Sequence, residues 1–427
     1  MSSDRIVVTG IAINTPLGDT LDNVGNNLMS GKSAIGYWRN LDTCNIYSKI
    51  GGQLPDYSSE DKLRTFSNRI SDAVIDRAER VFKQTTKNVQ LSVLMAMDAW
   101  LDAGLFEQTL DPFEYGVICG GHNLTDQYLL NQQAIFLDEP EFIDALSGLN
   151  SLDTDHSSSV AQVLNAKGLA YLIGGTCATG NVTMQAAVNA IRVDQKKVVA
   201  VVCPMASFHP MMLHSLTILE AICYSQYQDS PAKASRPYDI NRSGFLPCEG
   251  GAVLILEQAE HAESRGAKIY AELLGVSINS DANHLGDPSH EGQVRVIQDV
   301  LQKCHIAKEQ VDFVSAHATS TKIGDIVEIN SIKKVFGSHA GNLVINAPKS
   351  LLGHTMWASG VIEAAIAIWQ MKRGEFHQSH NIETLDPAVD LNVCATGNVK
   401  KDVDVFLNNS FGMGGINSAS LFRRYYG

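Results

Sequence analysis

Gly174-Gly175-Thr176-Cys177-Ala178-Thr179-Gly180-Asn181 is the stretch on which the reading of the fold turns. The run Ala170 to Ile173 before it reads as a short strand, and Gly180 to Val193 after it carries apolar residues at helical spacing. Strand, glycine turn and helix in that order form an α/β unit. A cysteine in the turn sits at a helix N-terminus, where free backbone N–H groups and the macrodipole favour a thiolate and lower the pKa. A cysteine in a globular protein is more often a buried structural thiol, and the flanking glycines shift the reading toward a nucleophile. The tetrapeptide recurs at Cys394-Ala395-Thr396-Gly397, but no amphipathic helix follows it, so context selects Cys177 over Cys394.

Outward from this turn, short apolar runs that end in glycine-rich turns alternate with helix-length segments. Strands are expected at Ile6 to Val8, Tyr115 to Cys119, Ala170 to Ile173, Val198 to Val202, Gly251 to Leu256, Lys268 to Gly275, Val311 to Ser315, Leu343 to Asn346 and Val403 to Asn408. Helices are expected at Val89 to Ala103, Gly180 to Val193, Gly292 to Lys303, Asp325 to Phe336 and Trp357 to Met371. The strands read as mostly parallel and buried on both faces. The order of elements is partly replayed: the strand before Cys119 answers that before His317, the strand before Gly174 answers that before Lys349, and Val198 to Met205 answers Val403 to Gly415. Two related halves, 1–259 and 260–427, are expected, with Gln226 to Glu249 a loop excursion near their join.

Composition narrows the function classes. Hydrophobic residues make up 44% and charged residues 19%, which a compact globular chain has and a disordered one lacks. The 33 Lys plus Arg against 46 Asp plus Glu leave a net charge of −13, a poor footprint for nucleic acid or an anionic membrane. No apolar run reaches the length of a signal peptide or membrane span, so a soluble cytoplasmic protein is expected. The eight cysteines show neither CxxC nor regular spacing, so neither zinc binding nor a disulfide framework is suggested.

A thiol that accepts an acyl group needs imidazoles nearby for protons and developing oxyanions. His317, in Ala316-His317-Ala318-Thr319-Ser320-Thr321, and His354, closing Lys349-Ser350-Leu351-Leu352-Gly353-His354, stand at strand C-termini, the edge where open α/β sheets place their sites. A histidine there is as readily a satisfied core residue. Lys349 stands fourteen residues before Glu363, which lies on a helix; the two read either as a half-buried pair that orients its neighbours or as a solvated surface pair. The loop in Asn408-Asn409-Ser410-Phe411-Gly412-Met413-Gly414-Gly415-Ile416-Asn417 can present N–H groups to an oxyanion, and cradling a phosphate is an equally fair reading. Nucleophile-elbow, Walker, dinucleotide and HExxH patterns are absent.

Taken together, Thr176-Cys177-Ala178-Thr179-Gly180, Ser235-Arg236-Pro237-Tyr238-Asp239, Gly266 to Leu273, His317 to Thr321, Lys349 to His354 and Asn409 to Gly415 resemble the β-ketoacyl-acyl carrier protein synthases, the elongating branch of the thiolase superfamily that includes polyketide ketosynthases. The likeness spans essentially the whole chain. It implies an α/β fold of thiolase-like α-β-α-β-α layers, and a homodimer or a heterodimer with a second ketosynthase-like subunit. It also implies substrates carried on the phosphopantetheine arm of acyl carrier protein, with no tightly bound cofactor and no metal. In that scheme Cys177 takes the acyl chain, and His317 and His354 assist decarboxylation of a malonyl thioester and stabilise the enolate that condenses with it. The Cys177 and Met413 N–H groups form the oxyanion hole, Lys349 with Glu363 orients the site, and Thr319 and Thr321 hold the pantetheine arm. Phe411, Met413 and His122 are the remaining expected substrate contacts.

This chain departs from the family pattern in places. Ala318 stands where the family has glycine, at a cost of about 1 kcal/mol if φ there is positive. Met413 replaces the usual gating Phe, and His122 falls at an acyl-pocket position that is often aliphatic, which points to polyketide or specialised fatty acid synthesis. From Glu60 to Arg80, five basic residues meet five acidic ones, and Leu219 to Tyr224 has no Arg, so docking suits a dedicated carrier. The rival expectations are a malonyl-carrier protein decarboxylase, against which the retained Cys177 argues, and a non-catalytic partner subunit, against which the retained His317, His354 and Lys349 argue.

Overall fold

A computed structural model describes residues 5–55, 57–283 and 288–426. The strands of its main sheet are β1 (Ile6–Asn14), β2 (Tyr115–Gly120), β3 (Leu169–Ile173), β4 (Val198–Cys203), β5 (Gly251–Gln258), β6 (Ala271–Ser280), β7 (Phe313–Ser315), β8 (Val344–Asn346), β9 (Val405–Gly412) and β10 (Ile416–Arg423). Their spatial order is β8-β7-β9-β10-β6-β1-β5-β4-β2-β3. The first five strands thus lie as β3-β2-β4-β5-β1 and the second five as β8-β7-β9-β10-β6, the same permutation. Directions repeat as well: β2 runs parallel to β3 and β4, and β7 parallel to β8 and β9, while β5 and β10 are antiparallel to both neighbours. Within the sheet, the described strands of the two halves join where Ile6, Val7 and Val8 of β1 pair with Leu273, Glu272 and Ala271 of β6.

The expectation of a mostly parallel sheet is therefore corrected. β9 and β10 are joined through Met413, Gly414 and Gly415 alone, and a link that short closes only an antiparallel hairpin. β10 itself was not anticipated. Its Ser418 and Ser420 look like loop residues, yet both are buried, with Ser418 Oγ donating to the Ser410 carbonyl at 2.8 Å.

Six helices build the layers: α1 (Lys87–Asp102), α2 (Asp155–Leu164), α3 (Thr179–Arg192), α4 (His290–Lys303), α5 (Gly324–Phe336) and α6 (Ser359–Arg373). α1 and α2 cover one face of the first half, and α4 with α5 covers one face of the second. α3 and α6 touch strands of both halves and fill the space between them, giving the α-β-α-β-α order. Every residue of α6 from Ser359 to Met371 is buried, as a helix enclosed on all sides requires. No helix among the described residues is long and apolar enough to cross a membrane.

The central helices cross closely. A Cβ at Gly180 of α3 would lie 2.7 Å from the Val361 nitrogen and 2.9 Å from the Gly360 Cα of α6. The segment from Gln226 to Glu249 is a loop whose first part, Gln226 to Lys233, lies at the surface and whose remainder turns into the interior. Arg236, Tyr238 and Asp239 are wholly buried, and Arg242 Nη1 reaches Asp386 at 2.8 Å while its Nε and Nη2 donate to the carbonyls of Thr321 and Lys322.

Because the obstructing atoms at Gly180 are backbone, Gly180→Ala is expected to lower the unfolding free energy by about 3 kcal/mol in urea titrations. Gly148→Ala, where a Cβ meets nothing within 4 Å, should stay within about 0.5 kcal/mol. Similar losses in both variants would contradict the close crossing.

Candidate active site

Equivalent strand ends converge on one place. Cys177 follows β3, Lys349 follows β8, His317 lies two residues beyond β7, and Met413 follows β9. A cavity of about 790 Å³ is lined by Cys177, His317, His354, Thr319, Thr321, Phe411 and Met413 among others.

The turn that carries Cys177 is held from three sides. Thr176 has a φ of +48°, the Gly175 N–H donates to Thr179 Oγ1 at 2.8 Å, and Thr179 Oγ1 donates to the Thr176 carbonyl at 2.6 Å. Thr176 Oγ1 donates to the Met413 carbonyl at 2.8 Å, and a Cβ at Gly412 would collide with that hydroxyl at 2.1 Å. The Met413 N–H and the N–H of Cys177 itself both point at the Cys177 sulfur. These donors and Lys349 pull the thiol pKa down, but burial outweighs them and raises it. The expected lowering of the Cys177 pKa is corrected on this ground: at rest the group is a thiol.

Beneath His317, Glu328 accepts the backbone N–H of His317 at 2.9 Å and of Ala318 at 2.8 Å, and Asn409 Nδ2 donates to it at 3.0 Å. This carboxylate holds Ala318 at a φ of +35°, so the loop keeps the strained conformation. Glu328 was not anticipated from sequence; the only signal was an acid eleven residues downstream on a helix. Lys349, 2% exposed, ion-pairs with the equally buried Glu363, and its ammonium sits 3.4 Å from His317 Nδ1. A cation can only donate, so Nδ1 accepts and the imidazole proton is assigned to Nε2. The same assignment follows at His354, whose Nδ1 accepts the Met356 N–H at 3.1 Å and lies 2.9 Å from Ser359 Oγ. Its Nε2 has no partner among the described residues.

Burial, the Lys349 charge and His354 hold the His317 pKa well below its ordinary value, and burial with Lys349 does the same for His354. Both rings are neutral donors, 5.5 Å apart and nearly perpendicular. Phe411 meets His317 edge-on at 5.9 Å, and the hydroxyls of Thr319 and Thr321 lie 3.1 Å apart. His122 does not line this cavity; it packs on Trp357 with ring centroids 4.2 Å apart. Cys394 is buried elsewhere, its thiol pushed up to about 12 chiefly by burial.

This architecture is a family signature. Residues 3–262 match the family description "Beta-ketoacyl synthase, N-terminal domain" and residues 270–383 match "Beta-ketoacyl synthase, C-terminal domain". The chain belongs to the β-ketoacyl synthase family. It is 33% identical to the chloroplastic 3-oxoacyl-[acyl-carrier-protein] synthase I of Arabidopsis thaliana, over 99% of this chain and 87% of that protein. The polyketide biosynthesis malonyl-ACP decarboxylase PksF of Bacillus subtilis is 28% identical over 97% of this chain and 95% of its own length. Among solved structures, the AntDE:AntF complex, a type II polyketide synthase acyl-carrier protein with its ketosynthase bound to the hexaketide, superimposes with a TM-score of 0.86 at 26% identity, covering 99% of this chain and 100% of that one.

Replacing Lys349 alone strands a buried carboxylate. Lys349→Met is expected to cost about 3–5 kcal/mol, and Lys349→Met combined with Glu363→Leu to recover most of it. Burial already raises the Glu363 pKa from 4.5 to about 7 against the pull of Lys349. The folded state thus binds that proton more tightly, so its stabilisation is full at low pH and lost as pH rises through this window. The deficit of Lys349→Met should be larger near pH 8 than near pH 5 in urea unfolding; equal deficits would contradict the pairing.

Proposed function

We propose that this chain catalyses the decarboxylative Claisen condensation of an acyl thioester with a malonyl thioester, both carried by acyl carrier protein, in polyketide or specialised fatty acid synthesis. The observation that carries the reading is the pair of neutral imidazoles whose Nε2–H groups are free to donate, beside a thiol on which two backbone N–H groups converge. The Cys177 sulfur attacks the acyl carbonyl, and the Cys177 and Met413 N–H groups receive the oxyanion. As the tetrahedral intermediate collapses, the pantetheine sulfur leaves and takes the thiol proton, leaving Cys177 acylated. The malonyl group then loses carbon dioxide, and its electron pair becomes an enolate whose oxygen accepts from His317 and His354. The enolate carbon attacks the acyl carbonyl, and Cys177 departs as a thiolate that takes up a proton from solvent.

A preformed donor pair suits this step because it needs no reorganisation when the negative charge appears. Lys349 and Glu363 position His317, and Thr319 and Thr321 hold the arm. Among the described residues that line the cavity Lys322 is the only lysine or arginine, and Leu219 at its mouth is 56% exposed. An acidic carrier with an apolar contact fits such a mouth better than one read by charge alone. Dimerisation is part of the proposal: β3 ends the sheet, and its Tyr171 is 39% exposed. Eight unpaired cysteines support a reducing, cytoplasmic setting. The decarboxylase reading, favoured by the likeness to PksF, leaves unexplained why a thiol stands under two converging N–H groups.

Intact-mass analysis after exposure to an acyl-carrier thioester should show one acyl group on the wild-type chain and none on Cys177→Ala. An adduct that survives this substitution sinks the assignment. His354→Ala should still load Cys177 while condensation falls about 100-fold or more.

A further inference from the structure

The repeat builds the nucleophile's corner twice. In the first half, the turn Thr176–Ala178 enters α3, and in the second the turn Met356–Ala358 enters α6. Thr176 and Met356 hold matching left-handed φ values of +48° and +53°. Cys177 and Trp357 are therefore equivalent positions. His317 lies two residues beyond β7 and His122 two residues beyond its counterpart β2, so His122 and Trp357 form the second copy of the pair His317 and Cys177. The two turns pack against each other, and a Cβ at Gly174, three residues before Cys177, would lie 3.6 Å from His122.

The second corner has polar groups without a use. Trp357 is 3% exposed and belongs to an apolar cluster with Leu124, Phe208, Leu213 and Met356. Trp357 Nε1 in this cluster and Nε2 of His122, whose ring packs on Trp357, have no hydrogen-bond partner among the described residues. A buried donor left unpaired costs about 1–3 kcal/mol, and native structures seldom tolerate one without a reason. Indole N–H is a donor only, so whatever completes it supplies an acceptor. Burial lowers the His122 pKa, so the ring is neutral and offers one further donor or acceptor without charge.

We propose that Trp357 and His122 form an acyl-recognition site beside Cys177 that selects chains carrying a carbonyl or hydroxyl oxygen over saturated hydrocarbon chains. This rests on the acyl-transfer reading above and names the substrate class of that site. A saturated chain in this corner would leave both nitrogens desolvated and unpaired, whereas a partly oxidised chain satisfies them. Discrimination of this kind is strong because it penalises the wrong ligand as well as rewarding the right one.

The test loads the full-length protein with pantetheine thioesters matched in length, hexanoyl against 5-oxohexanoyl and 3-hydroxyhexanoyl, and follows acylation of Cys177 by intact mass. The wild type should load an oxygenated chain about tenfold faster than hexanoyl. Trp357→Phe, which keeps the ring and deletes the N–H, should bring that ratio close to one, with near-ultraviolet circular dichroism reporting the fold. His122→Phe gives the same readout should Trp357→Phe not fold. A wild type without preference, or a preference that persists in both variants, overturns the proposal. Failure of all three thioesters to load Cys177 instead overturns the acyl-transfer reading, and this inference with it.

Discussion

The close crossing of α3 and α6 at Gly180 and Gly360 is the constraint on which the site depends. Each helix is entered through a tight turn with a left-handed residue, and each turn brings a functional group with it. Cys177 lies three residues before Gly180, while His354 lies six residues before Gly360. With backbone against backbone at the crossing, the two turns have no room to move apart. A side chain there would lengthen every distance between the thiol and the imidazole. The two missing Cβ atoms set how closely the helices approach, and the hydrogen bonds of Thr176, Thr179 and Glu328 then fix the turn and the loop at the site.

Electrostatics then does what packing alone cannot. The interior holds Lys349, Glu363 and Glu328, all buried, and each is placed so that its partners are fixed. Lys349 faces both Glu363 and His317, so a single ammonium is neutralised on one side and assigns a tautomer on the other. Glu328 receives backbone N–H groups from the loop that carries His317 and keeps Ala318 in a conformation alanine avoids. The same low dielectric keeps Cys177 protonated. The site is therefore uncharged at its reacting atoms and charged only behind them, an arrangement that leaves its dipoles free to meet charge as it forms.

Duplication explains the rest of the plan. Both halves use one strand permutation, yet only one copy of each corner carries a thiol or a lysine. The equivalent of Cys177 is Trp357, and the equivalent of His317 is His122. A fold built twice places two closely similar strand-end corners side by side, one carrying Cys177 and His317 and the other Trp357 and His122.

The sequence by itself determined the alternation of strands and helices, the repeat of elements, and the place of Cys177 in a turn between a strand and a helix. It could do so because these depend on periodicity and on glycine turns within a few residues of one another. Most strand and helix boundaries shifted by only a few residues, and the two clearest misses were the direction of the sheet and the presence of β10. Both follow from partners distant in the chain, since Ser418 and Ser420 are buried only because β9, α3 and their side chains satisfy them. Only the tertiary structure decided the charge state of the thiol, because burial has no signature at Cys177 itself. The same holds for Glu328 under its loop and for the meeting of His122 with Trp357, 235 residues away along the chain. Contacts of that separation are fixed by how the halves pack, and no local pattern encodes them.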